Sequence, residues 1–353
     1  MSGTSLDGID VALIRTDGEN IVERGPSQTY AYSDEQRNIL VTALEGAKTL
    51  QHRDDRPPAL AKAEAALTDW HAQAVQDFLK ASPAVVDVIG FHGQTVIHRP
   101  EFKLTVQLGD GQALANKLNL PVVYDLRAAD VAAGGQGAPL VPVYHRALAA
   151  TLPQRPVAFV NIGGIANVTW IGADGEMIAF DTGPGNALLN DWAMKHLGLP
   201  QDTGGALASK GKVNDELLDA ALALPFFDQP PPKSLDRNAF EALSLAGLSP
   251  EDGAATLVAF TKAGIMLIDD WVPAPAKRYI VCGGGRHNPA ILSALPGRSI
   301  VFLTAEEVGF NGDSMEAEAW AYLAVRSQKK LPISFPMTTG VSEPMTGGVL
   351  ALP

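Results

Sequence analysis

Short apolar runs that start from, or end in, glycine-rich turns recur four times along this chain, and that recurrence limits the folds open to it. Met1-Ser2-Gly3-Thr4-Ser5-Leu6-Asp7-Gly8-Ile9-Asp10 opens into Val11-Ala12-Leu13-Ile14. Asn161–Thr169 carries Gly163-Gly164 between two β-rich runs, and Val281-Cys282 leads into Gly283-Gly284-Gly285-Arg286. Phe180-Asp181-Thr182-Gly183-Pro184-Gly185-Asn186 leads from a strand end into a helix start. Glycine permits positive φ and close backbone approach, and such turns leave N–H groups able to cradle an anion. Each turn taken alone is also compatible with a plain hairpin that binds nothing. Together, residues 1–10 and 161–169 form a weak internal repeat and read as two jaws around a phosphate-bearing ligand.

The 353 residues suffice for two domains or one large two-lobed α/β unit with a sizeable core. With 46% apolar and 19% charged residues, the chain suits a folded globular enzyme, and its 34 Gly and 25 Pro fall in turns rather than repeats. A net charge of −12 provides no Lys/Arg stripe for nucleic acid or an anionic membrane, so local basic residues must do any anion binding. The single cysteine, Cys282, excludes an internal disulfide framework and a cysteine-rich zinc site, and it reads as a small buried hydrophobe. Such cysteine usage fits a reducing compartment, the cytoplasm by default. No apolar stretch approaches the roughly 18–20 residues that span a bilayer, and no signal-peptide pattern is present. The reading is a soluble chain that is not exported.

Ser33 and Gln36 have capping-box spacing ahead of Leu40, Val41 and Leu44, and Pro57-Pro58 opens an Ala-rich segment to Lys80; both predict helices. Val85–Phe91, Leu104–Leu108 and Val122–Tyr124 predict short strands. Residues 125–142 read as an extended loop and a domain boundary. Beyond it, Ala187–His196 and Gly253–Trp271 predict helices, Arg278–Cys282 a strand and Pro225–Lys233 a proline-rich surface stretch. Asp313–Val325 predicts the last helix, with Asp313, Glu316 and Trp320 on one face. The tail, Ser334–Leu352, reads as turn-rich and irregular. Order in residues 1–10 requires a neighbouring strand to hold the turn.

Asp181 at a strand end, followed by a helix N-terminus, is placed to act as a general base over a cleft, or else it simply caps its turn. Arg127 beside an exposed loop offers a planar fork for a carboxylate or phosphate, or else a surface ion pair. His92-Gly93-Gln94-Thr95 holds polar groups on a loop beside a strand. His92 and His98 lack a third ligand, which excludes a zinc site there. Asp313 and Glu316 also fit a solvated helix face.

The motifs Met1–Asp10, His92-Gly-Gln-Thr, Ala133-Gly-Gly-Gln-Gly-Ala-Pro, Asn161–Thr169, Asp181–Asn186, Cys282-Gly-Gly-Gly and Glu307–Glu316 occur in the order in which the chain resembles the anhydro-N-acetylmuramic acid kinase family. The resemblance spans nearly the whole chain. It implies an α/β, two-lobed, actin-like (ribonuclease H-like) ATPase fold, with a mixed five-stranded sheet and flanking helices in each lobe and an ATP cleft between them. Residues 1–140, with about 320–353 packing back, would form one lobe and residues 141–319 the other. By the same resemblance, Gly3, Thr4, Ser5, Leu6, Asp7, Gly8, Ile9 and Asp10 flank the ATP phosphates with Asn161, Gly163 and Gly164. Gly183, Gly185 and Asn186 join them, Gly283, Gly284 and Gly285 lie at the adenosine, and Mg2+ bridges phosphate oxygens without a dedicated protein cage. His92, Thr95, Arg127, Asp181 and Glu316 resemble sugar contacts, Arg127 suiting a lactyl carboxylate, and Asp181 is the implied catalytic base. The family implies a cytoplasmic homodimer that uses ATP and water to convert 1,6-anhydro-N-acetylmuramic acid to N-acetylmuramic acid 6-phosphate in peptidoglycan recycling. The alternatives are another small-molecule kinase of the same superfamily, a non-catalytic nucleotide-dependent switch ATPase, or a glycosidase pairing Asp181 with Glu316.

Overall fold

The computed structural model describes every residue except 4, 236–239, 241–242 and 295–300, and the chain divides into two compact units. Met1–Ala150 and Ser314–Pro353 form the first, and Thr151–Asp313 the second.

The first unit opens with an antiparallel hairpin, β1 (Gly8–Thr16) and β2 (Val22–Ala31). Its reversal is fixed by Asp17, whose Oδ1 accepts the N–H groups of Glu19, Asn20 and Ile21. α1 (Asp34–Ala47) starts with the expected capping box between Ser33 and Gln36, and α2 (Pro58–Ala81) starts at a proline, which costs a helix nothing in its first turn. β3 (Ile89–Gly90) is much shorter than the apolar run that contains it. Its parallel partner follows Pro121, so Ile89 and Phe91 donate only to the Pro121 and Val123 carbonyls, and the ladder ends there. β4 (Gln94–Arg99) and β5 (Leu104–Leu108) form a second hairpin, α3 (Gly111–Leu118) is capped by Asp110, and β6 (Val122–Tyr124) follows. The stretch 125–142 is not all loop: its alanine-rich start winds into α4 (Ala128–Ala132), and Pro142 opens α5 (Pro142–Ala149).

In the second unit, β7 (Val157–Ile162), β8 (Ile165–Ile171) and β9 (Met177–Pro184) form a meander. α6 (Asn186–Leu197), α7 (Asp215–Leu222) and α8 (Pro250–Met266) precede β10 (Arg278–Cys282), α9 (Pro289–Ala294) and β11 (Val301–Thr304). The sheet order is β11-β10-β7-β8-β9, with β7, β10 and β11 parallel and β8 antiparallel to both neighbours: the expected mixed five-stranded sheet. Trp170, Trp192, Leu257, Ile265 and Ile280 are buried in or beside its helix-covered core.

The chain then returns to the first unit through α10 (Met315–Gln328), α11 (Pro336–Thr339) and β12 (Val349–Ala351). α10 is therefore not the last helix, and the tail is not wholly irregular: β12 pairs antiparallel with β6. In this unit the strands are distributed over β1-β2, β12-β6-β3 and β4-β5. α10 packs across both β1 and β3, while α2 packs on β1. Among the described residues, no helix is long and apolar enough to cross a membrane.

Candidate active site

In the second unit, strand register gathers the polar residues that the motifs name. Cys282 pairs with Asn161, Asn161 with Asn167 and Asn167 with Asp181. Laterally paired residues point to one face, so Asn161, Asn167 and Asp181 stand in a row roughly 4.8 Å apart at the strand ends. All three are half-buried while their neighbours along the strands are largely buried. The carboxyl ends of parallel strands are where α/β sheets bind ligands. Asn167 was passed over in the sequence; its alternation with buried Ala166 and Val168 was the available signal.

Asp181 is held on both sides of its backbone and carboxylate. Its N–H donates to the Lys233 carbonyl at 3.0 Å, and its Oδ2 accepts the Leu235 N–H at 2.7 Å. The segment supplying these groups is anchored by Lys233, whose Nζ donates to the Phe226 and Phe227 carbonyls and lies 4.6 Å from the Phe226 and Trp271 ring centres. The proline-rich stretch 225–233 is thus only partly surface, because Phe227 and Lys233 fasten it beside the strand end. Desolvation pushes the Asp181 carboxyl up to about 7, against the single backbone donor that favours the anion. An acid poised near neutrality at a sheet end is suited to take and release a proton.

The glycine turns converge on the same end. Asn186 and Gly185 donate to the Gly163 and Gly164 carbonyls at 2.6 and 3.0 Å, and Asn186 Nδ2 donates to the Ile162 carbonyl at 3.0 Å. A Cβ built on Gly284 would meet nothing nearer than Asn186 Nδ2 at 3.8 Å, and one on Gly163 nothing nearer than 3.5 Å, so these backbones are open to a ligand. Gly183 instead lies buried within β9. Gly283 has φ +75° and ψ 173°, a region only glycine occupies comfortably, and a Cβ there would fall 2.2 Å from Asn161 Oδ1. Gly283→Ala is expected to cost about 1–3 kcal/mol of stability and to weaken nucleotide binding; denaturant unfolding with and without ATP measures both. Arg286, unremarked in the sequence, staples this turn. Its guanidinium donates to the Gly283 carbonyl at 3.0 Å and pairs with Glu306 at 3.0 Å and Asp313 at 2.8 Å. That pairing also explains why Asp313 precedes α10 instead of sharing its face with Glu316 and Trp320.

In the first unit, residues 1–10 are held by β1 itself, since Met1 and Asp10 exchange backbone hydrogen bonds of 2.9 Å and Ser2 bridges Ile9. Leu6 N donates to the Gly3 carbonyl at 3.3 Å, Leu6 has φ 54°, and Ser5 Oγ donates to Asp7 Oδ1 at 2.7 Å. Leu6 and Ile9 turn their side chains into the core, leaving only their backbone for a phosphate, and Gly8 lies against the Tyr30 carbonyl within the hairpin. Thr4 lies outside the described residues.

Buried Ser2 ties this turn to the sugar-contact candidates: its Oγ donates to Gln94 Oε1 at 2.6 Å and its carbonyl accepts from His92 Nδ1 at 3.0 Å. His92 Nε2 therefore carries the lone pair and accepts from Arg127 Nη2 at 3.3 Å. Desolvation, reinforced by Arg127, holds His92 well below the usual histidine range, so it is neutral. Arg127 donates to the Gly137 carbonyl at 2.7 Å and lies 5.0 Å from the Trp320 ring centre, and Trp320 also packs on His92. Desolvation pulls the guanidinium down to about 10, which still leaves it charged at neutral pH. Glu316 keeps solvent access, yet desolvation holds its carboxyl above the ordinary glutamate value, with Arg127 opposing. Thr95 accepts from Gln107 Nε2 at 3.3 Å across the β4-β5 hairpin. Trp320 Nε1 is buried without a hydrogen-bond partner beside this group, which the sequence did not reveal.

A family model, anhydro-N-acetylmuramic acid kinase, matches residues 1–352. Proteins named anhydro-N-acetylmuramic acid kinase from Rhodopseudomonas palustris and Bradyrhizobium diazoefficiens are each 52% identical, covering 100% of this chain and 98% of theirs. One from Agrobacterium fabrum is 50% identical over 99% of this chain and 96% of its own. With glycine turns and an activated carboxyl at one sheet end and matching relatives over its full length, the chain belongs to the anhydro-N-acetylmuramic acid kinase family.

Proposed function

We propose that this chain uses ATP and water to open 1,6-anhydro-N-acetylmuramic acid and phosphorylate it, giving N-acetylmuramic acid 6-phosphate and ADP. The Asp181 carboxyl, clamped at a strand end and raised to about 7, is the observation that carries the reading. It would take a proton from the water attacking the anomeric carbon. Breaking the internal ether then leaves an oxygen on carbon 6 that attacks the γ-phosphoryl group, so the ring opening generates its own nucleophile. The work left to the protein is positioning and charge stabilisation. Open backbone at Gly163, with the N-terminus of the twelve-residue α6, would meet nucleotide phosphate, and the open backbone at Gly284 would lie at the adenosine. Arg127, presented by His92 and Trp320, would pair with the lactyl carboxylate. Thr95 and Glu316 would contact sugar hydroxyls.

Among the described residues, no three His, Cys, Asp or Glu side chains form a metal-holding group. Asp7 and Asp10, on and beside the Met1–Asp10 turn, are the protein carboxylates that would hold Mg2+ with the nucleotide. When bound, the ion would offset charge on the phosphate oxygens. The family resemblance further supports a cytoplasmic homodimer in peptidoglycan recycling.

Incubation with ATP and the anhydro-sugar in oxygen-18 water tests the reading: the label is expected at the anomeric carbon and phosphate on carbon 6. Phosphorylation of ordinary sugars at equal rate, or product without label, would replace it with a simpler kinase.

A further inference from the structure

The β4-β5 hairpin of the first unit carries three polar side chains that the proposed reaction leaves without a role: His98, Thr105 and Gln107. Thr95 pairs with Gln107 and His98 with Thr105, and the register shifts by one residue between Thr95 and Ile97. Residues three apart on a regular strand face opposite sides. The bulge at Val96 takes up one residue and brings Thr95 and His98 to the same face, with Gln107 and Thr105 across from them. One line of hydrogen bonds joins the four. His98 Nε2 meets the Gln136 carbonyl at 2.8 Å, and His98 Nδ1 meets Thr105 Oγ1 at 2.9 Å. Gln107 Nε2 meets Thr105 Oγ1 at 2.8 Å and Thr95 Oγ1 at 3.3 Å.

The chemistry of these groups fixes the direction of every bond in the line. A carbonyl can only accept, so His98 Nε2 carries the proton. Desolvation, reinforced by the Arg127 cation, holds His98 below the usual histidine range, so the ring is neutral and Nδ1 is an acceptor. Thr105 must spend its one proton on Nδ1, and its oxygen must then accept from Gln107. That demand holds the Gln107 amide with its nitrogen toward both threonines, although it leaves Oε1 buried with no partner, a costly arrangement. Turning the amide over would give Oε1 the Thr95 proton, but would set it against a Thr105 oxygen whose proton is already committed. Thr95 therefore accepts from Gln107, and among the described residues its own proton has no acceptor.

Taking the anhydro-sugar as substrate, on which this assignment rests, we propose that His98, Thr105 and Gln107 are positioning residues: they set the Thr95 hydroxyl to give its proton to an oxygen of the bound sugar. Thr95 is only partly buried, so a ligand can reach it. A hydroxyl already committed in this direction needs no reorientation when the substrate arrives. The line also starts from a fixed point. Gln136 donates its N–H to the Thr339 carbonyl at 2.6 Å. Its neighbour Gly137 donates to Asp130 Oδ1 at 2.6 Å, and the Gly137 carbonyl takes Arg127 Nη1 at 2.7 Å. One loop thus anchors both the Arg127 fork and the relay that ends at Thr95.

A double-mutant cycle in the full chain tests this, with kcat and KM measured for ATP and for the anhydro-sugar. Thr95→Val is expected to lower kcat/KM for the sugar about threefold to tenfold. Thr105→Val frees the Gln107 amide to turn over and take the Thr95 proton, so a loss of the same size is expected, with KM for ATP unchanged. The two together should lose no more than Thr95→Val alone, whereas independent roles would multiply. Thr105→Ser keeps a hydroxyl and should retain the parent's kcat/KM, which separates proton direction from packing. A loss in Thr95→Val with none in Thr105→Val, losses that multiply in the double variant, or an equal loss in Thr105→Ser would each overturn the relay and leave the kinase reading standing. Full activity in Thr95→Val would overturn the sugar contact and the relay together. A parent chain that does not phosphorylate the anhydro-sugar would overturn the kinase reading itself, and the relay with it.

Discussion

Asp181→Asn is expected to slow turnover on the order of a hundredfold or more, to leave ATP affinity unchanged, and to make the folded chain more stable. The first effect follows from loss of the base. The last follows from the cost of its charge: desolvation raises the folded-state pKa to about 7 from an ordinary value of 3.8. The folded state therefore keeps its proton at pH values where the unfolded chain has released it. Stability should fall as pH rises from about 4 to about 7 and then level off. Three pKa units correspond to about 4 kcal/mol; discounted for the solvent that reaches this half-buried group, the relief is on the order of 1–3 kcal/mol. Asparagine retains an acceptor for the Leu235 N–H, so that donor keeps its partner. Urea unfolding should show the variant gaining over the parent at pH 8 and not at pH 4. In the parent, kcat/KM should rise with an ascending limb near pH 7. A variant that still phosphorylates the anhydro-sugar would remove Asp181 from the mechanism, and one with no pH-dependent gain would remove its desolvation.

Arg127→Met is expected to lower kcat/KM for the sugar by roughly 10–100-fold, mainly through KM, with nucleotide affinity preserved. The guanidinium does three jobs at once, holding the Gly137 carbonyl, donating to His92 Nε2 and lying on Trp320. Lysine has no planar fork and cannot replace it, so Arg127→Lys should recover little. Removing the cation should also move the Glu316 carboxyl further up, because Arg127 has the larger effect of the two cations, with the Met1 amine, that oppose its desolvation. Steady-state kinetics in both substrates separate the cases: a loss confined to ATP affinity, or full activity in the lysine variant, would reassign Arg127 to the scaffold.

Much of the second unit was legible locally. The Asn161–Thr169 turn, the strand into Asp181 and the Cys282-Gly-Gly-Gly turn are specified by residues adjacent in sequence, and they fold as hairpin, strand end and turn. The capping box at Ser33 and the proline start at Pro58 likewise act within one helical turn. Elsewhere, context prevailed. Val85–Phe91 has the composition of a longer strand, but only two rungs of partner are available. Asp313 has the spacing of a helical face, but Arg286 pairs with it first. Lys233, at the end of a proline-rich stretch, is drawn among aromatic rings that lie apart from it in sequence.

By itself, the sequence determined where backbone must turn tightly and where a carboxylate and an arginine stand beside such turns, since φ preferences and capping are local. Only the tertiary structure decided which of these groups meet. Register across β7, β8 and β9 aligned Asn161, Asn167 and Asp181. Packing brought Ser2 to His92 and His92 to Trp320 across long sequence separations. Register and packing depend on the summed burial of many distant side chains, and no single stretch of sequence encodes that sum.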